Sequence, residues 1–187
     1  MPVVISMLRG VNVGGHNQIR MDALRALYES LRLDNPQTYV QSGNVVFETE
    51  AADLAKLAKK IEDAIERQFA FRPPVILRTA SELRDAIARN PFEKRAGIDP
   101  AKLLVAFLAA DPAPEARDKL LAIACQPDEL RFSGRELYIY FPNGQGRPTL
   151  KWAHVDKALK LPYTGRNWKS VTKLLEIAEG LGAFADR

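Results

Sequence analysis

The first hydrophobic stretch of the chain runs from Val3 to Leu8 and ends at Arg9-Gly10. A short apolar stretch with β-branched residues that stops at a turn signal predicts a buried strand followed by a loop. Between residues 21 and 31 the apolar side chains recur at helical spacing, with Asp22 in the first turn, where the helix dipole favours an acid. The chain is therefore predicted to open with a strand, a loop and an amphipathic helix.

The next segments complete a first βαββαβ pattern. Residues 38–41 and 44–49 are rich in β-forming side chains, and Ser42-Gly43 between them has the two-residue spacing of a tight hairpin. A 3.6-residue period over residues 54–65 predicts a second helix, and residues 75–77 predict a further short strand. This order of elements is that of a ferredoxin-like sheet.

The second half of the chain repeats the pattern after a connecting helix at residues 81–90, which a capping box of Thr79 and Glu82 opens. The predicted elements are a strand at residues 103–108, a helix from Pro114, strands at residues 129–132 and 136–141, a helix containing Trp152 and Leu159, a short strand at residues 163–166, and a last helix from Trp168 that ends at Gly180 and Gly182. The predicted fold class is α+β: two ferredoxin-like βαββαβ halves, an internal duplication, with a connecting helix and a C-terminal helix. The expected boundaries are residues 1–80, 81–100 and 101–187.

Composition fits a soluble globular protein, because 47% of the 187 residues are hydrophobic and 27% are charged. The apolar stretches are too short to span a bilayer, so no membrane partner is expected. Cys125 is the single cysteine and lies in an apolar stretch predicted to be helical, where a thiol acts as a small core residue. With no disulfide and no pattern of a secretion signal, the expected compartment is the cytoplasm.

Charge is concentrated in one segment. Residues 147–173 contain seven basic residues against the single acid Asp156, so the segment carries +6 while the whole chain carries +4. Trp152, Tyr163 and Trp168 lie among these charges, which is typical of a surface that binds an anionic partner. The alternative is that lysines solvate the outer faces of two helices whose tryptophans lie in the core.

Three glycine-containing loops are the candidate sites. The loop after the first strand contains Arg9 and Asn12 and lies where α/β proteins often hold phosphate, although it matches neither a Walker loop nor a dinucleotide fingerprint. Its glycines are equally explained by a tight turn. The hairpin contributes Gln41, Ser42 and Asn44, and turn chemistry also explains these residues.

The third loop leads into the last helix and contains Arg166, Asn167 and Lys169. Free amide groups at a helix start, together with these cations, form an anion site. Asn167 as a simple helix cap is the alternative. The only histidines, His16 and His154, form no cluster with metal-ligand spacing, so we expect no metal and no cofactor.

Four motifs in order closely resemble the bacterial DUF1697 family, and the resemblance covers nearly the whole chain. They are residues 8–15 (LRGVNVGG), 41–47 (QSGNVVF), 143–147 (NGQGR), and 166–168 (RNW) with 171–174 (VTKL). The resemblance implies a duplicated ferredoxin-like fold. It carries no expectation about activity, since the family's function is unknown. This chain departs from the family pattern at His16, at Pro148-Thr149 and at Gly165, where lysine, Ser-Lys and threonine are common.

These observations predict a cytoplasmic binding protein for an anionic ligand, a nucleotide or a nucleic-acid segment, in a cleft between the two halves. The candidate ligand-binding residues are Arg9, Asn12, Gln41, Ser42, Asn44, Arg147, Arg166, Asn167 and Lys169. One alternative is an enzyme that acts on a phosphorylated small molecule, with Arg9 and Arg166 stabilising charge and His16 as acid or base. Another is a structural or interaction scaffold.

Overall fold

Two four-stranded antiparallel sheets and six α-helices make up the computed structural model, which describes residues 1–185. The described chain forms two compact units. The first comprises residues 1–84 together with the C-terminal segment from Lys173, and the second comprises residues 85–172. The protein is therefore a mixed α/β protein in which each unit is built on one sheet.

The first unit has the strand order β2-β3-β1-β4. Its elements are β1 (Val3–Leu8), α1 (Met21–Ser30), β2 (Asp34–Tyr39), β3 (Asn44–Glu48), α2 (Leu54–Phe69) and β4 (Val75–Thr79). One face of this sheet forms a core with α1 and α2, in which Phe47, Leu24 and Ile61 are completely buried. Within this core the hydroxyl groups of Ser6 and Tyr28 share a hydrogen bond of 2.7 Å.

The second unit has the corresponding order β6-β7-β5-β8. The elements from residue 80 onward are α3 (Ala80–Ala88), a 3-10 turn (Pro100–Lys102), β5 (Leu103–Leu108), α4 (Pro114–Leu121), β6 (Glu129–Ser133), β7 (Glu136–Tyr140), α5 (Trp152–Leu159), β8 (Tyr163–Asn167) and α6 (Trp168–Ala185). The core of this unit lies between one face of the sheet and α4 and α5, and it includes Leu120, Ile139 and Val155.

Equivalent backbone hydrogen bonds are found in the two sheets at the ends of the inner strands β1 and β5. In the first unit the Leu8 amide donates to the Gly43 carbonyl (2.9 Å) and the Arg9 amide donates to the Pro74 carbonyl (3.0 Å). The corresponding bonds of the second unit run from the amides of Leu108 and Ala109 to the carbonyls of Arg135 (3.0 Å) and Pro162 (2.9 Å). Each central strand is therefore joined to its hairpin and to its neighbouring edge strand in the same way.

The predicted bounds of β2 and of its hairpin are wrong. The strand begins at Asp34 rather than at residue 38, and four residues, 40–43, connect it to β3 instead of Ser42-Gly43 alone. β2 is an edge strand hydrogen-bonded to β3, and none of its residues is buried: three are exposed and three are half-buried. Its sequence therefore lacks the apolar alternation that marks a strand with one buried face. The register shift between Asp34 and Gln37 further obscures the pattern.

Two further predictions about helix ends are wrong. α6 continues through Gly180 and Gly182 to Ala185, because Leu181 and Ala178 are buried along the same helix and packing outweighs the low helix propensity of glycine. α4 ends at Leu121, so Cys125 lies in the irregular segment that follows, although it is buried as expected.

The capping box at the start of α3 is confirmed. The Glu82 amide donates to Thr79 Oγ1 (3.1 Å), and the Thr79 amide donates to Glu82 Oε2 (2.8 Å). Within residues 1–185, no helix combines the length and the apolar character needed to cross a bilayer.

Candidate functional site

Asn12 holds the loop after β1 against the hairpin of the same unit. Its Nδ2 donates to the carbonyls of Ile19 (2.9 Å) and Gln41 (2.8 Å), and its Oδ1 accepts from the Ile19 amide (2.8 Å). Both amide hydrogens of the side chain are therefore engaged by backbone carbonyls. The structure brings Asn12 and Gln41 together, and this contact ties the loop after β1 to the hairpin between β2 and β3.

The hairpin residues are engaged in the turn itself. Asn44 is completely buried, and its Nδ2 donates to the Tyr39 carbonyl (3.1 Å) and to Ser42 Oγ (2.8 Å). Gly43 has a φ of +75°, and a Cβ built there would lie 2.9 Å from the Cβ of Leu8. Turn chemistry and a close backbone approach thus account for Ser42, Gly43 and Asn44, whereas Gln41 is exposed.

A polar pocket of about 640 Å³ adjoins this loop at the start of α1. Its lining residues are Asn12, Gln18, Ile19, Arg20, Met21, Asp22 and Gln41. Arg20 and Asp22 form an ion pair of 2.8 Å, and the hydrogen bond from Arg20 holds the pKa of Asp22 below its usual value. The Asp22 carboxylate also accepts from the Ala23 amide, 2.9 Å away. The helix start already carries a carboxylate, so this pocket does not favour an anion.

Arg166 is buried, with 8% of its surface exposed, in the next-to-last position of β8. Its Nη1 donates to Thr164 Oγ1 and to the Gly165 carbonyl, both at 2.8 Å. Burial lowers the pKa of Arg166 to about 10, so the guanidinium stays protonated at neutral pH. Arg78 occupies the corresponding position of β4, is also buried, and donates to the Leu77 carbonyl (2.9 Å).

Asn167 caps α6, since its Oδ1 accepts a hydrogen bond of 2.9 Å from the Ser170 amide. Asn167 and Lys169 are exposed at this helix start, and Arg147 is exposed on the loop between β7 and α5. The alternative interpretation of Asn167 as a helix cap is thus supported. Of the nine predicted residues, Arg9, Asn12, Gln41, Ser42 and Asn44 lie in the first unit, and Arg147, Arg166, Asn167 and Lys169 lie in the second.

A basic groove lies between α4 and α5 of the second unit, with a volume of about 350 Å³. This α4–α5 groove is lined by Lys119, Ile123, His154, Lys157, Ala158 and Lys160. The three lysines and His154 are exposed, whereas Ile123 and Ala158 are half-buried. Among the described residues that line the groove, none is acidic. It therefore combines a cationic rim with an apolar floor.

The basic segment predicted from sequence supplies part of this groove, because His154, Lys157 and Lys160 fall within residues 147–173. Two aromatic residues of that segment, Trp152 and Tyr163, do not line the groove and stack on each other with ring centroids 6.1 Å apart. Lys119 was missed, since only the packing of α4 beside α5 brings it to the groove. The charge excess of residues 147–173 was the available sequence signal, and it did not indicate this groove.

The remaining reactive groups are the potential metal ligands and the thiol of Cys125. Within residues 1–185 no group of three or more His, Cys, Asp or Glu side chains is arranged to hold a metal ion. Cys125 is buried, its Sγ lies 3.5 Å from the Asp128 carbonyl, and burial raises the pKa of the thiol. A protonated, buried thiol reacts slowly.

The comparisons with known proteins identify the family and the fold. A family model described as "Protein of unknown function (DUF1697)" matches residues 1–138, so the chain belongs to this family. A solved structure, of the conserved bacterial protein SP0830 from Streptococcus pneumoniae, is similar with a TM-score of 0.73 and 21% identity, covering 95% of this chain and 98% of that one. No curated protein is significantly similar to the sequence. At this identity the likeness establishes the fold alone.

Proposed function

We propose that this protein is a cytoplasmic binding protein for an anionic ligand, and that the ligand occupies the α4–α5 groove. The observation that carries the proposal is the lining of the groove, in which Lys119, Lys157 and Lys160 lie around a half-buried floor without an acidic neighbour in the lining that the structure describes. Cations gathered at a concave, partly apolar surface attract an anion more strongly than the same cations spread over an open surface.

Helix stability offers a second explanation for the positions of these lysines. Lys119 and Lys157 lie in the last turns of α4 and α5, where a cation interacts favourably with the helix dipole. That effect amounts to about 0.3–1 kcal/mol for each residue and acts without a ligand. Lys160, the C-cap residue of α5, lies at the same helix end and is open to the same explanation. Binding and folding must therefore be measured separately in each variant.

We further propose that both units are copies of one ferredoxin-like βαββαβ unit. The equivalent strand orders and the matching hydrogen bonds at Leu8 and Leu108 support this interpretation. The groove then belongs to the helical layer of the second copy. The corresponding surface of the first unit, between α1 and α2, carries different side chains, so anion binding is a property we assign to the second copy alone.

The nine ligand-binding residues predicted from the sequence stay a prediction, as does the alternative of an enzyme acting on a phosphorylated small molecule. The contacts of Asn12, Asn44 and Asn167 support structural roles for these three residues. The α4–α5 groove has a better electrostatic basis than the pocket at the start of α1, where Arg20 and Asp22 balance each other.

Amide NMR spectra test the proposed site at low ionic strength, with inorganic phosphate and adenosine monophosphate (AMP) as probes. We expect the shifts on titration to concentrate at residues 119–123 and 154–160. Lys157→Glu should abolish them, whereas Lys60→Glu, which reverses an exposed lysine on α2, should leave them unchanged. If neither anion shifts these amides, or if both variants reduce the shifts equally, the α4–α5 groove is not an anion site.

A further inference from the structure

The apolar floor of the α4–α5 groove favours a ligand that has an apolar part as well as a negative charge. Ile123 and Ala158 are half-buried there, and the methylene groups of the lysine side chains can extend the apolar surface above them. A bare inorganic anion would contact the ammonium groups and leave this floor in water. A ligand that covers the floor gains hydrophobic burial as well as charge pairing.

The size of the groove limits the ligand. Its volume of about 350 Å³ lies at the lower end of the range for small-molecule sites, which is roughly 300–1,000 Å³. Outside the lining of the groove, exposed acids precede two of the lysines in the sequence, Asp118 before Lys119 and Asp156 before Lys157. The positive surface is thus short, which is unfavourable for a polyanion that needs several successive phosphate contacts.

We propose that the ligand is a mononucleotide-sized organic phosphate with a flat ring, whose phosphate lies among the lysines and whose ring lies on Ile123 and Ala158. This inference rests on the proposed function, because it assumes that the groove binds anions. Lysine ammonium groups act as compact point charges on flexible stems, and they can follow a terminal phosphate without a fixed bidentate geometry.

Calorimetric titrations with four probes test the ligand class: AMP, adenosine, inorganic phosphate and a short oligothymidylate. We expect AMP to bind at least about tenfold more tightly than adenosine or phosphate, since of these three it alone has both a phosphate for the rim and a ring for the floor. Equal affinity for AMP and phosphate would overturn the ligand class and leave anion binding intact. Tighter binding of the oligonucleotide than of AMP would also overturn it, in favour of nucleic acid. Failure of every anion to bind would instead refute the proposed function.

Two variants that replace an apolar residue by threonine distinguish a contact between the floor and the ligand from a general loss of stability. Ile123→Thr keeps the branched shape but makes the floor polar, and we expect it to weaken AMP binding about fivefold while phosphate affinity stays unchanged. Leu121→Thr is the matched control, because Leu121 is 51% exposed, lies two residues before Ile123 and does not line the groove. An unchanged AMP affinity in Ile123→Thr, or an equal loss in Leu121→Thr, would contradict the assigned position of the ring.

Discussion

Buried arginines occupy the next-to-last position of an edge strand in both sheets, Arg78 in β4 and Arg166 in β8. Each donates to a backbone carbonyl of its own strand, and Arg166 also donates to Thr164 Oγ1. A buried cation requires hydrogen bonds to offset the loss of hydration, so these contacts are part of the fold. Arg166 was predicted as an anion donor from its position before a helix, and its burial supports a structural role in addition.

Arg166→Ala tests that structural role. Removing the side chain breaks hydrogen bonds from a charged donor and leaves a cavity, so we expect a loss of about 2–4 kcal/mol in the free energy of unfolding. Arg147→Ala, at an exposed position of the same unit, should change it by less than about 0.5 kcal/mol. Urea unfolding of both variants measures the difference. A fully stable Arg166→Ala protein would show that the buried contacts contribute little.

Gly43 combines two constraints that can be measured apart. Gly43→Ala should cost about 1–2 kcal/mol for the left-handed backbone, and a further 1–3 kcal/mol because the new methyl group meets Leu8 at 2.9 Å. Gly10→Ala is a suitable control, since Gly10 has a φ of +71° and no atom lies within 4 Å of the position that its Cβ would take. Equal destabilisation of the two variants in chemical unfolding would mean that Leu8 moves aside at no cost.

The start of α3 illustrates how an element boundary is set by side chains. Thr79→Ala removes the hydroxyl that accepts from the Glu82 amide, so we expect a loss of about 1 kcal/mol in unfolding free energy. Thr172→Ala, at an exposed position inside α6, removes a hydroxyl that donates to carbonyls of the preceding turn and should leave stability unchanged or slightly higher. Thermal unfolding followed by circular dichroism compares the two. A Thr79→Ala protein with the same melting temperature as the wild type would contradict a stabilising role for the cap.

Elements with a buried apolar sequence could be predicted accurately. β1 and β5 have the bounds that their hydrophobic stretches predict, because both are central strands and buried on both faces. The bounds of β2 could not be predicted, since an edge strand without buried residues has no continuous apolar stretch. The groove was out of reach for a different reason: Lys119 and Lys157 are far apart in the sequence, and only helix packing makes them neighbours.

At the scale of the whole molecule, the modest net charge of +4 conceals an uneven distribution. Residues 147–173 carry +6, and part of this charge lies at the α4–α5 groove together with Lys119. The charge pattern therefore predicted an anionic partner without indicating the location of the site. Interactions of exposed lysines with an anion are screened by salt, so binding should weaken as ionic strength rises.

The most direct measurement of the central claim is the AMP affinity of the double variant Lys119→Ala/Lys157→Ala, determined by calorimetry at low and at physiological salt. We expect a loss of more than about tenfold relative to the wild type at low salt, and a smaller effect of salt on the remaining binding. The matched double variant Lys59→Ala/Lys60→Ala, on α2, should retain wild-type affinity, and melting curves should show that both proteins are folded. Wild-type affinity in the Lys119→Ala/Lys157→Ala protein, or an equal loss in the two double variants, would contradict anion binding in the α4–α5 groove.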